Sequence, residues 1–307
     1  MGIIIPSRKG ITNFYLNGDA SQTASEVDVS SYSKYLSGAA EAVNYGTKVC
    51  FFSDTYMYIF ENGKWTNGPN LPIRWNPTAY IAEQTTAVGG RFIACDKGIA
   101  FVGCDVIEET ANLWNGSTWT ELPNLKVPQA SNCGVFYNGK LYALGSSDEG
   151  YATRQYTYDT TSGTEWNWSA TLPFKARFSD AVVYNNAIHV FGGRVSTYAD
   201  DNTNHYVYDG SSWTQSTNIP DTFSTYLCGR AIVHDNKIYL LGCNGGTKTW
   251  IWDTDHWVAG KDMLITMKNE VVFTYDNEIY RLGSTASTYR EKFISYEHEI
   301  LGYKMTT

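Results

Sequence analysis

The 307-residue sequence predicts an all-β fold made of six repeated units, each a four-stranded antiparallel sheet. The first observation behind this prediction is a stretch of about ten residues that recurs along the chain. Its clear copies are YNGKLYALGS (137–146), YNNAIHVFGG (184–193), HDNKIYLLGC (234–243) and YDNEIYRLGS (275–284), and its weaker copies are YGTKVCFFS (45–53) and CDKGIAFVGC (95–104). The second observation is a tryptophan that recurs with the same period. A recurrence at spacings of roughly 41 to 50 residues indicates a repeat architecture.

Each copy of the stretch predicts a hairpin of two strands. In AIVHDNKIYLLGC, the strand at 231–234 leads through an Asp-Asn turn into the strand at 238–241. Asp and Asn tolerate the positive φ angles that two-residue hairpin turns require. Both strands are apolar nearly throughout, which is expected when both faces of a sheet are buried.

A third and a fourth strand complete each unit. The predicted third strands are rich in aromatic residues: YMYIF (56–60), ANLW (111–114), QYTYD (155–159), HYVYD (205–209), TWIWD (249–253) and KFISY (292–296). A turn and a tryptophan follow, at Trp65, Trp119, Trp166, Trp213 and Trp257. Six residues later stand Leu71, Leu125, Leu172, Ile219 and Met263, and three of these precede a proline (Pro72, Pro173 and Pro220). Six such sheets predict a β-propeller.

The five repeated tryptophans are interpreted as structural. Burying one large aromatic side chain removes about 150–250 Å² from water, and a ligand site would break the repeat rather than follow it. Trp75 is different, because it lies outside the repeat register in the long connection IRWNPTAYIAEQTTAVGG (73–90). Its role stays open.

These features together resemble the kelch motif. The resemblance rests on paired hairpin strands that end in glycine (VFGG has two), on an aromatic third strand that ends in Tyr-Asp, and on tryptophan followed by Leu-Pro. It covers about residues 40–307 and is strongest in the third to fifth repeats. It implies a six-bladed kelch-type propeller whose blades pack face to face around a central axis. The family implies no single function, so function has to be argued from a site.

Residues 1–39 are predicted to form an N-terminal arm or attachment segment ahead of the propeller at 40–307. In the last repeat, Leu301 takes the tryptophan position and Thr307 the position six residues later, so the C-terminal blade has sequence for all four strands. The arm is rich in Ser, Thr and Gly and would serve to hold an assembly partner. The alternative is that NFYL, within this arm, adds an outer strand to a blade.

The composition argues against several classes of function. A net charge of −8 is unfavourable for a nucleic-acid partner or an anionic membrane, since both need a dominant basic face. No apolar run approaches the roughly 18 residues of a membrane span, and the N-terminus lacks the basic region of a secretory signal. Cys50, Cys104 and Cys243 stand where other repeats carry small or apolar residues, so we expect free thiols. No metal site and no cofactor are predicted.

The lengths of the predicted loops indicate where a binding site would lie. The turns between first and second strands are short, whereas the connections between second and third strands, and between blades, vary widely and emerge on one propeller face. Variable loops on a rigid scaffold commonly carry function. The candidate ligand-binding residues on this face are Arg74, Trp75, Arg154, Arg177, Arg194, Tyr198, Asp200, Arg230 and Arg290.

The many arginines among these candidates support a binding site, because the planar guanidinium group binds carboxylates and phosphates and stacks on aromatic rings. The kelch resemblance implies that arginines just after the Leu-Pro motif contact acidic peptide ligands. Arg74 and Arg177 match that position, and Arg230 matches it loosely. The alternative, which is favoured for any single arginine, is a structural ion pair or a hydrogen bond to backbone carbonyls between blades.

An enzyme acting on sugars is the alternative function. Kelch-type propellers include enzymes that resemble sialidases, sialic-acid mutarotases and galactose oxidase, and the last would need copper held by His and Tyr. The histidines are not expected to converge: His189, His205, His234, His256 and His298. The segments DGSSW and NGSTW resemble only the end of a sialidase-type box. No enzyme is therefore predicted.

We expect a non-enzymatic binding or structural module that recognises a protein or a glycan on the variable loop face. The composition, rich in Asn, Thr, Ser and Tyr with short degenerate repeats, resembles kelch-like proteins encoded by bacteriophages. That resemblance implies a virion appendage on a tail or capsid, with receptor binding as its role, and favours the virion over the cytoplasm. A cellular kelch adaptor is a further alternative and would normally carry a second domain.

Overall fold

The computed structural model describes residues 41–305, except for 54, 63, 73–74, 77–86, 89, 104–109, 128–132, 147–149, 195–201, 224–228, 263–267, 285–287 and 295–298. The predicted N-terminal arm at 1–39 therefore lies outside the described residues. In the last sheet, side chains are described from 271 to 281. The described part of the chain contains no helix long and apolar enough to span a membrane.

The strands form consecutive four-stranded sheets, named blades here and numbered along the chain. Blade 1 consists of β1 (Glu41–Tyr45), β2 (Lys48–Ser53), β3 (Tyr56–Glu61) and β4 (Lys64–Asn67). A short parallel pair follows, β5 (Trp75–Asn76) with β6 (Ala87–Val88). Blade 2 consists of β7 (Arg91–Cys95), β8 (Gly98–Val102), β9 (Ala111–Trp114) and β10 (Trp119–Leu122). Blade 3 consists of β11 (Cys133–Tyr137), β12 (Lys140–Leu144), β13 (Arg154–Asp159) and β14 (Asn167–Thr171).

The remaining blades repeat this order. Blade 4 consists of β15 (Asp180–Tyr184), β16 (Ala187–Phe191), β17 (His205–Tyr208) and β18 (Trp213–Gln215). Blade 5 consists of β19 (Arg230–His234), β20 (Lys237–Gly242), β21 (Lys248–Asp253) and β22 (His256–Ala259), with the helical turn α1 (Cys243–Gly246) between β20 and β21. The last sheet, blade 6, consists of β23 (Lys268–Tyr275), β24 (Glu278–Ser284), β25 (Thr288–Ile294) and β26 (Glu299–Met305).

The first strand of each blade is its innermost strand. Each inner strand contacts the inner strand of the next blade, from β1 through β7, β11, β15 and β19 to β23, and β23 contacts β1 in turn. All neighbouring strands within a blade are antiparallel, and their order in the sheet follows the chain. The prediction of an all-β propeller built from four-stranded antiparallel blades is thereby confirmed.

The short turns have the predicted chemistry. Asn185 and Asn186 have φ angles of 47° and 55°, and Asp235 and Asn236 have angles of 45° and 54°. Such left-handed conformations suit the twist of a two-residue hairpin, and Asn and Asp adopt them at low cost. Each pair joins the first two strands of a blade without disturbing their register.

The segments DGSSW and NGSTW are turns between third and fourth strands. In the first, the Asp209 carboxylate accepts hydrogen bonds from the backbone N–H groups of Ser211 and Ser212, both at 2.8 Å. These bonds, together with that from the Ser211 hydroxyl, lower the pKa of Asp209 to about 2. In the second, Asn115 Oδ1 accepts from the N–H groups of Ser117 and Thr118, both at 3.0 Å. Both segments thus have a local structural role.

Aromatic side chains fill the space between blades. Between blades 1 and 2, Phe52 stacks on Phe92 with ring centroids 3.8 Å apart. Three repeat tryptophans also donate hydrogen bonds from their indole N–H groups. The acceptors lie in the preceding blade or in the segment that connects it to the blade of the tryptophan. The bonds run from Trp166 to the Pro123 carbonyl (2.8 Å), from Trp213 to Gln155 Oε1 (2.8 Å) and from Trp257 to the Thr217 carbonyl (3.0 Å). The structural interpretation of these tryptophans is confirmed.

The cysteines with described side chains are free thiols in buried positions. They are Cys50, Cys95, Cys133 and Cys243. The prediction of free thiols is confirmed for Cys50 and Cys243, and Cys104 lies outside the described residues. Burial raises the pKa of Cys50 to about 12, with Lys48 opposing this shift. A thiol with so high a pKa remains protonated and unreactive at neutral pH.

Substituting Trp166 should test the packing between blades. Its side chain is 0% exposed, so Trp166→Ala should lower the free energy of unfolding by about 3–5 kcal/mol. The matched control is Trp168→Ala, two residues further along the chain, where the side chain is 59% exposed and the loss should stay below about 1 kcal/mol. Urea denaturation followed by circular dichroism measures both. Equal losses would contradict the structural interpretation.

Candidate binding face

One end of the propeller, named the variable face here, carries connections of unequal length. The connections between second and third strands span 54–55, 103–110, 145–153, 192–204, 243–247 and 285–287. The connections between blades emerge at the same end, because strand direction alternates within each blade. At the opposite end, named the short-turn face, every turn between first and second strands has two residues. The turns between third and fourth strands at this end span two to seven residues, from 62–63 to 160–166, whereas the connections between second and third strands span two to thirteen, so lengths vary more on the variable face, as predicted.

Glycines let two of the variable-face connections approach the scaffold closely. Gly145 and Gly192 follow the second strands of blades 3 and 4 and have φ angles of 70° and 55°. A Cβ atom on Gly145 would overlap the Ala176 carbonyl oxygen, and one on Gly192 would overlap the Phe223 carbonyl oxygen. Glycine is therefore required at the hinge from second strand to loop, which explains its recurrence in the repeated stretch.

Four charged residues and one cysteine surround the propeller axis at the variable-face end of the inner strands. This axial cluster consists of the first residues of the inner strands of blades 1 to 5: Glu41, Arg91, Cys133, Asp180 and Arg230. Arg91 bridges two carboxylates, with 3.5 Å from Nη1 to Glu41 Oε1 and 3.5 Å from Nη2 to Asp180 Oδ1. The three side chains are only 13–15% exposed. Arg91 thereby links blades 1, 2 and 4.

The two carboxylates of the axial cluster are held in the same way. Glu41 Oε2 accepts the Phe92 N–H at 3.3 Å, and Asp180 Oδ2 accepts the Ala231 N–H at 2.9 Å. In each case the donor is the residue that follows an arginine at the start of the next inner strand. The order acid, arginine, Cys133, acid, arginine around the axis thus contains the acid–arginine pair twice. These carboxylates join blade 1 to blade 2 and blade 4 to blade 5.

The charges in the axial cluster compensate each other. Burial raises the pKa of Glu41, and the nearby Arg91 and Arg230 guanidinium groups oppose that shift. Burial also raises the pKa of Cys133 to about 12, so this thiol stays protonated. Two carboxylates and two guanidinium groups leave no net charge from these side chains. The cluster is consistent with a structural ion-pair network in which every charge has a partner.

Arg230 belongs to this network rather than to the loops. Its Nη1 donates to the Gly229 carbonyl at 2.9 Å, and its charge acts on Glu41. The prediction that Arg230 contacts a ligand stays a prediction, and this position also fits the favoured alternative, an arginine that pairs structurally between blades.

Arg177 and Arg194 lie together beside blade 4. The backbone N–H of Arg194 donates to the backbone carbonyl of Arg177 at 2.7 Å. The Arg194 guanidinium lies 5.9 Å from the centre of the Phe178 ring. Arg177 is only 3% exposed, whereas Arg194 is partly exposed. Ser179 then donates its hydroxyl to the Gly192 carbonyl at 3.2 Å. The structure thus brings these two predicted site residues to one part of the variable face.

Arg154 forms a separate cluster on the outer part of blade 3. Its guanidinium carbon lies 4.6 Å from the centre of the Tyr151 ring and 4.9 Å from that of Trp168. Its Nη1 donates to the Tyr156 hydroxyl at 3.2 Å. Sequence reasoning had selected Arg154 but missed Tyr151 and Trp168. Trp168 could have been found as a tryptophan outside the repeat register, the same signal that singled out Trp75.

For the remaining candidate residues, the structure describes either the backbone alone or nothing. Arg74, Tyr198 and Asp200 lie outside the described residues. For Trp75 and Arg290 only the backbone is described: Trp75 pairs with Ala87 in the short parallel sheet, and Arg290 pairs with Leu282 and Tyr303 inside β25. Arg290 therefore lies within a strand and not in a loop.

Two histidines form a buried pair in blade 4, so the expectation that the histidines do not converge is wrong for them. His189 Nδ1 lies 2.9 Å from His205 Nε2, and one of these nitrogens donates to the other. Sequence reasoning missed this because the pairing of β16 with β17 determines which side chains are adjacent. Burial lowers the pKa of His189 to about 4 and, with the His189 charge, that of His205 to about 3. Among the described residues, no three metal-binding side chains come together.

Comparison with known proteins supports the fold alone. No protein-family model matches the chain, and a search of curated proteins finds no match. Among solved structures, one titled "Structure of YjhT" is similar, with a TM-score of 0.65 and 12% sequence identity over 86% of this chain and 97% of that chain. At this identity the likeness extends to the propeller architecture and not to a ligand or an activity.

Removing Arg91 should destabilise the propeller strongly. Arg91→Met leaves Glu41 and Asp180 buried without their shared partner, which should lower the free energy of unfolding by about 3–5 kcal/mol. Lys97→Met on the short-turn face is the control, because Lys97 is 46% exposed and its pair with Asp96 should contribute about 0–1 kcal/mol. Urea denaturation at pH 7 measures both. Unchanged stability of Arg91→Met would show that the cluster does not hold the blades together.

The histidine pair should make stability fall in acid. Both pKa values are lowered on folding, so the unfolded chain takes up protons near pH 6.5 while the folded pair resists until about pH 4 and 3. The free energy of unfolding should therefore decline as the pH falls from 6.5 towards 4. In the double variant His189→Gln, His205→Gln this decline should be shallower. His256→Gln, whose side chain is 64% exposed, should keep the wild-type pH dependence in the same urea titrations.

Proposed function

We propose that this chain is a kelch-type propeller that works as a non-enzymatic recognition module and binds a protein or a glycan through its variable face. The observation that carries the proposal is the contrast between the two faces. Every turn between first and second strands has two residues, whereas the connections on the variable face differ from blade to blade. A rigid scaffold that holds unequal loops on one side is suited to recognition.

Blade 4 is the favoured centre of this recognition surface. Its variable-face connection is the longest between a second and a third strand, at 192–204. Arg194 lies near its start, with its guanidinium 5.9 Å from the centre of the Phe178 ring. Arginine and aromatic side chains are enriched among residues that dominate binding energies. The axial cluster is less suited to this role, because its carboxylates are engaged by backbone N–H groups and by Arg91.

A more specific proposal is that the chain is a virion appendage attached through residues 1–39. Its support is compositional: the chain is rich in Asn, Thr, Ser and Tyr and carries short degenerate repeats. An attachment arm predicts that the propeller folds without it. A truncated variant lacking residues 1–39 should therefore keep its thermal unfolding temperature and lose only assembly, as measured by gel filtration. Failure of that truncated chain to fold would favour the alternative in which NFYL adds a strand to a blade.

An enzyme acting on sugars is the competing proposal, and one observation favours it. Two carboxylates and two arginines lie at the variable-face end of the axis, and arginines are groups that bind the carboxylate of an acidic sugar. Incubation with neutral and acidic monosaccharides, followed by nuclear magnetic resonance, tests it. A protein-dependent change in anomer or product that is lost in Glu41→Gln would support the enzyme and count against the recognition module.

Replacing the blade 4 loop tests the recognition module directly. We expect that a variant with residues 195–201 replaced by seven Gly and Ser residues, and a variant with Arg194→Ala, lose binding on glycan arrays and whole cells by about tenfold or more. Both should unfold at nearly the wild-type temperature. Lys97→Ala on the short-turn face should bind normally. Normal binding by the loop variant, or a loss shared by Lys97→Ala, would remove the variable face of blade 4 from the proposal.

A further inference from the structure

Trp168 stands at a position where the other blades carry no tryptophan. In blade 3 it pairs with Tyr156 across the two outer strands. The equivalent pairs in blades 1, 2, 4 and 5 place Asn67, Glu121, Gln215 and Ala259 at this position. The repeat tryptophan of blade 3 is Trp166, which is 0% exposed and already fills the packing site. The propeller fold therefore does not require a second tryptophan here.

The Trp168 side chain is exposed but held in place. It is 59% exposed. Among the described residues, Val258 is the other large hydrophobic side chain that is exposed. Its indole N–H donates to the Ala170 carbonyl at 2.8 Å, and the Arg154 guanidinium lies 4.9 Å from the ring centre. Such a cation–π contact favours one orientation of the ring. The ring is thus oriented before any ligand arrives, which reduces the entropy lost on binding.

Arg154 is itself held by two tyrosines. Its guanidinium lies 4.6 Å from the centre of the Tyr151 ring, and its Nη1 donates to the Tyr156 hydroxyl at 3.2 Å. The three side chains Tyr151, Arg154 and Trp168 form a cluster, named the blade 3 stack here, in which the guanidinium lies close to both aromatic rings. The charge of Arg154 is therefore directed at these rings, and the uncovered part of the indole remains available to a ligand.

The polar neighbours of the indole come from the same face of the two outer strands. Trp168 pairs with Tyr156 and Thr171 pairs with Arg154, so these four side chains share that face, and none of the side chains of β14 (Asn167–Thr171) ionises. A hydroxyl group next to a flat aromatic ring matches the chemistry of a pyranose, whose C–H face packs on the ring and whose hydroxyl groups donate and accept hydrogen bonds.

A protein partner fits this surface less well. Protein interfaces bury about 800 Å² on each side around an apolar core. The exposed large hydrophobic side chains in the described parts of the chain are Trp168 in blade 3 and Val258 in blade 5, which do not form a common patch. One oriented indole with a hydroxyl group on the same face has the dimensions of a single sugar ring. This comparison selects a saccharide as the occupant.

We propose that the outer wall of blade 3 carries a saccharide-binding site in which the Trp168 indole stacks on a pyranose ring of a neutral glycan. Arg154 and Tyr151 are positioning residues that orient the indole. The site lies on the outer strands of blade 3 and not on the loops of blade 4, so it goes beyond the recognition surface proposed above. Either site can fail without the other.

The test is binding of the full chain to an array of neutral oligosaccharides of glucose, galactose, mannose and N-acetylglucosamine, with sialylated glycans as the charged comparison. Hits are then measured by isothermal titration. We expect at least one neutral glycan to bind, and Trp168→Ala to weaken that binding by about tenfold or more. Trp168→Phe keeps an aromatic ring and should retain part of the affinity. Gln215→Ala, at the equivalent position of blade 4, should bind as the wild type does.

Three outcomes would overturn this site. They are the absence of any neutral glycan among the ligands, wild-type affinity in Trp168→Ala, and binding restricted to sialylated glycans. Thermal unfolding of each variant shows whether it is folded, and Trp168→Phe provides a second variant if Trp168→Ala is not. Loss of glycan binding in the blade 4 loop variant, with normal binding by Trp168→Ala, would support the variable face and reject the blade 3 stack.

Discussion

The ion pairs of Arg91 are the interaction on which the arrangement around the axis depends. Most contacts join a blade only to its neighbours, whereas Arg91 of blade 2 contacts Glu41 of blade 1 and Asp180 of blade 4. A buried charge without a partner is costly, so the inner strands have to stay where all three groups remain paired. The small side chain of Cys133 occupies the ring position between Arg91 and Asp180. Electrostatics at the axis therefore constrains the positions of blades that do not adjoin each other.

Packing between blades completes the scaffold. Buried aromatic and aliphatic side chains fill each space between neighbouring blades, as Phe51 and Phe273 do where blade 1 meets blade 6. The repeat tryptophans add directed hydrogen bonds, for example from Trp166 to the Pro123 carbonyl. Because these interactions involve strands and short turns, the loops of the variable face can differ in length without loss of the core. Stability and recognition are thus assigned to different parts of each repeat.

The fold was largely predictable, and the candidate site only partly so. Repeat position identified Trp166 as a core residue because packing between blades imposes the same demand in every repeat. Arg230 was predicted to bind a ligand, and the sequence does not reveal that its charge also acts on Glu41, about 190 residues earlier. The His189–His205 pair was missed for the same reason: it depends on strand register. Trp168 was visible as a break in the repeat, but its contact with Arg154 was not.

The sequence by itself determined the repeated unit, its hairpin turns and the residues buried between blades. These features follow from local rules, namely alternation of side chains in strands, the backbone preferences of Asn, Asp and Gly, and the need to bury large aromatic rings. The tertiary structure alone decided which charges meet at the axis and which exposed ring is held in a fixed orientation. Those contacts join residues from different strands and blades, and their distances exist only once the ring of inner strands has closed.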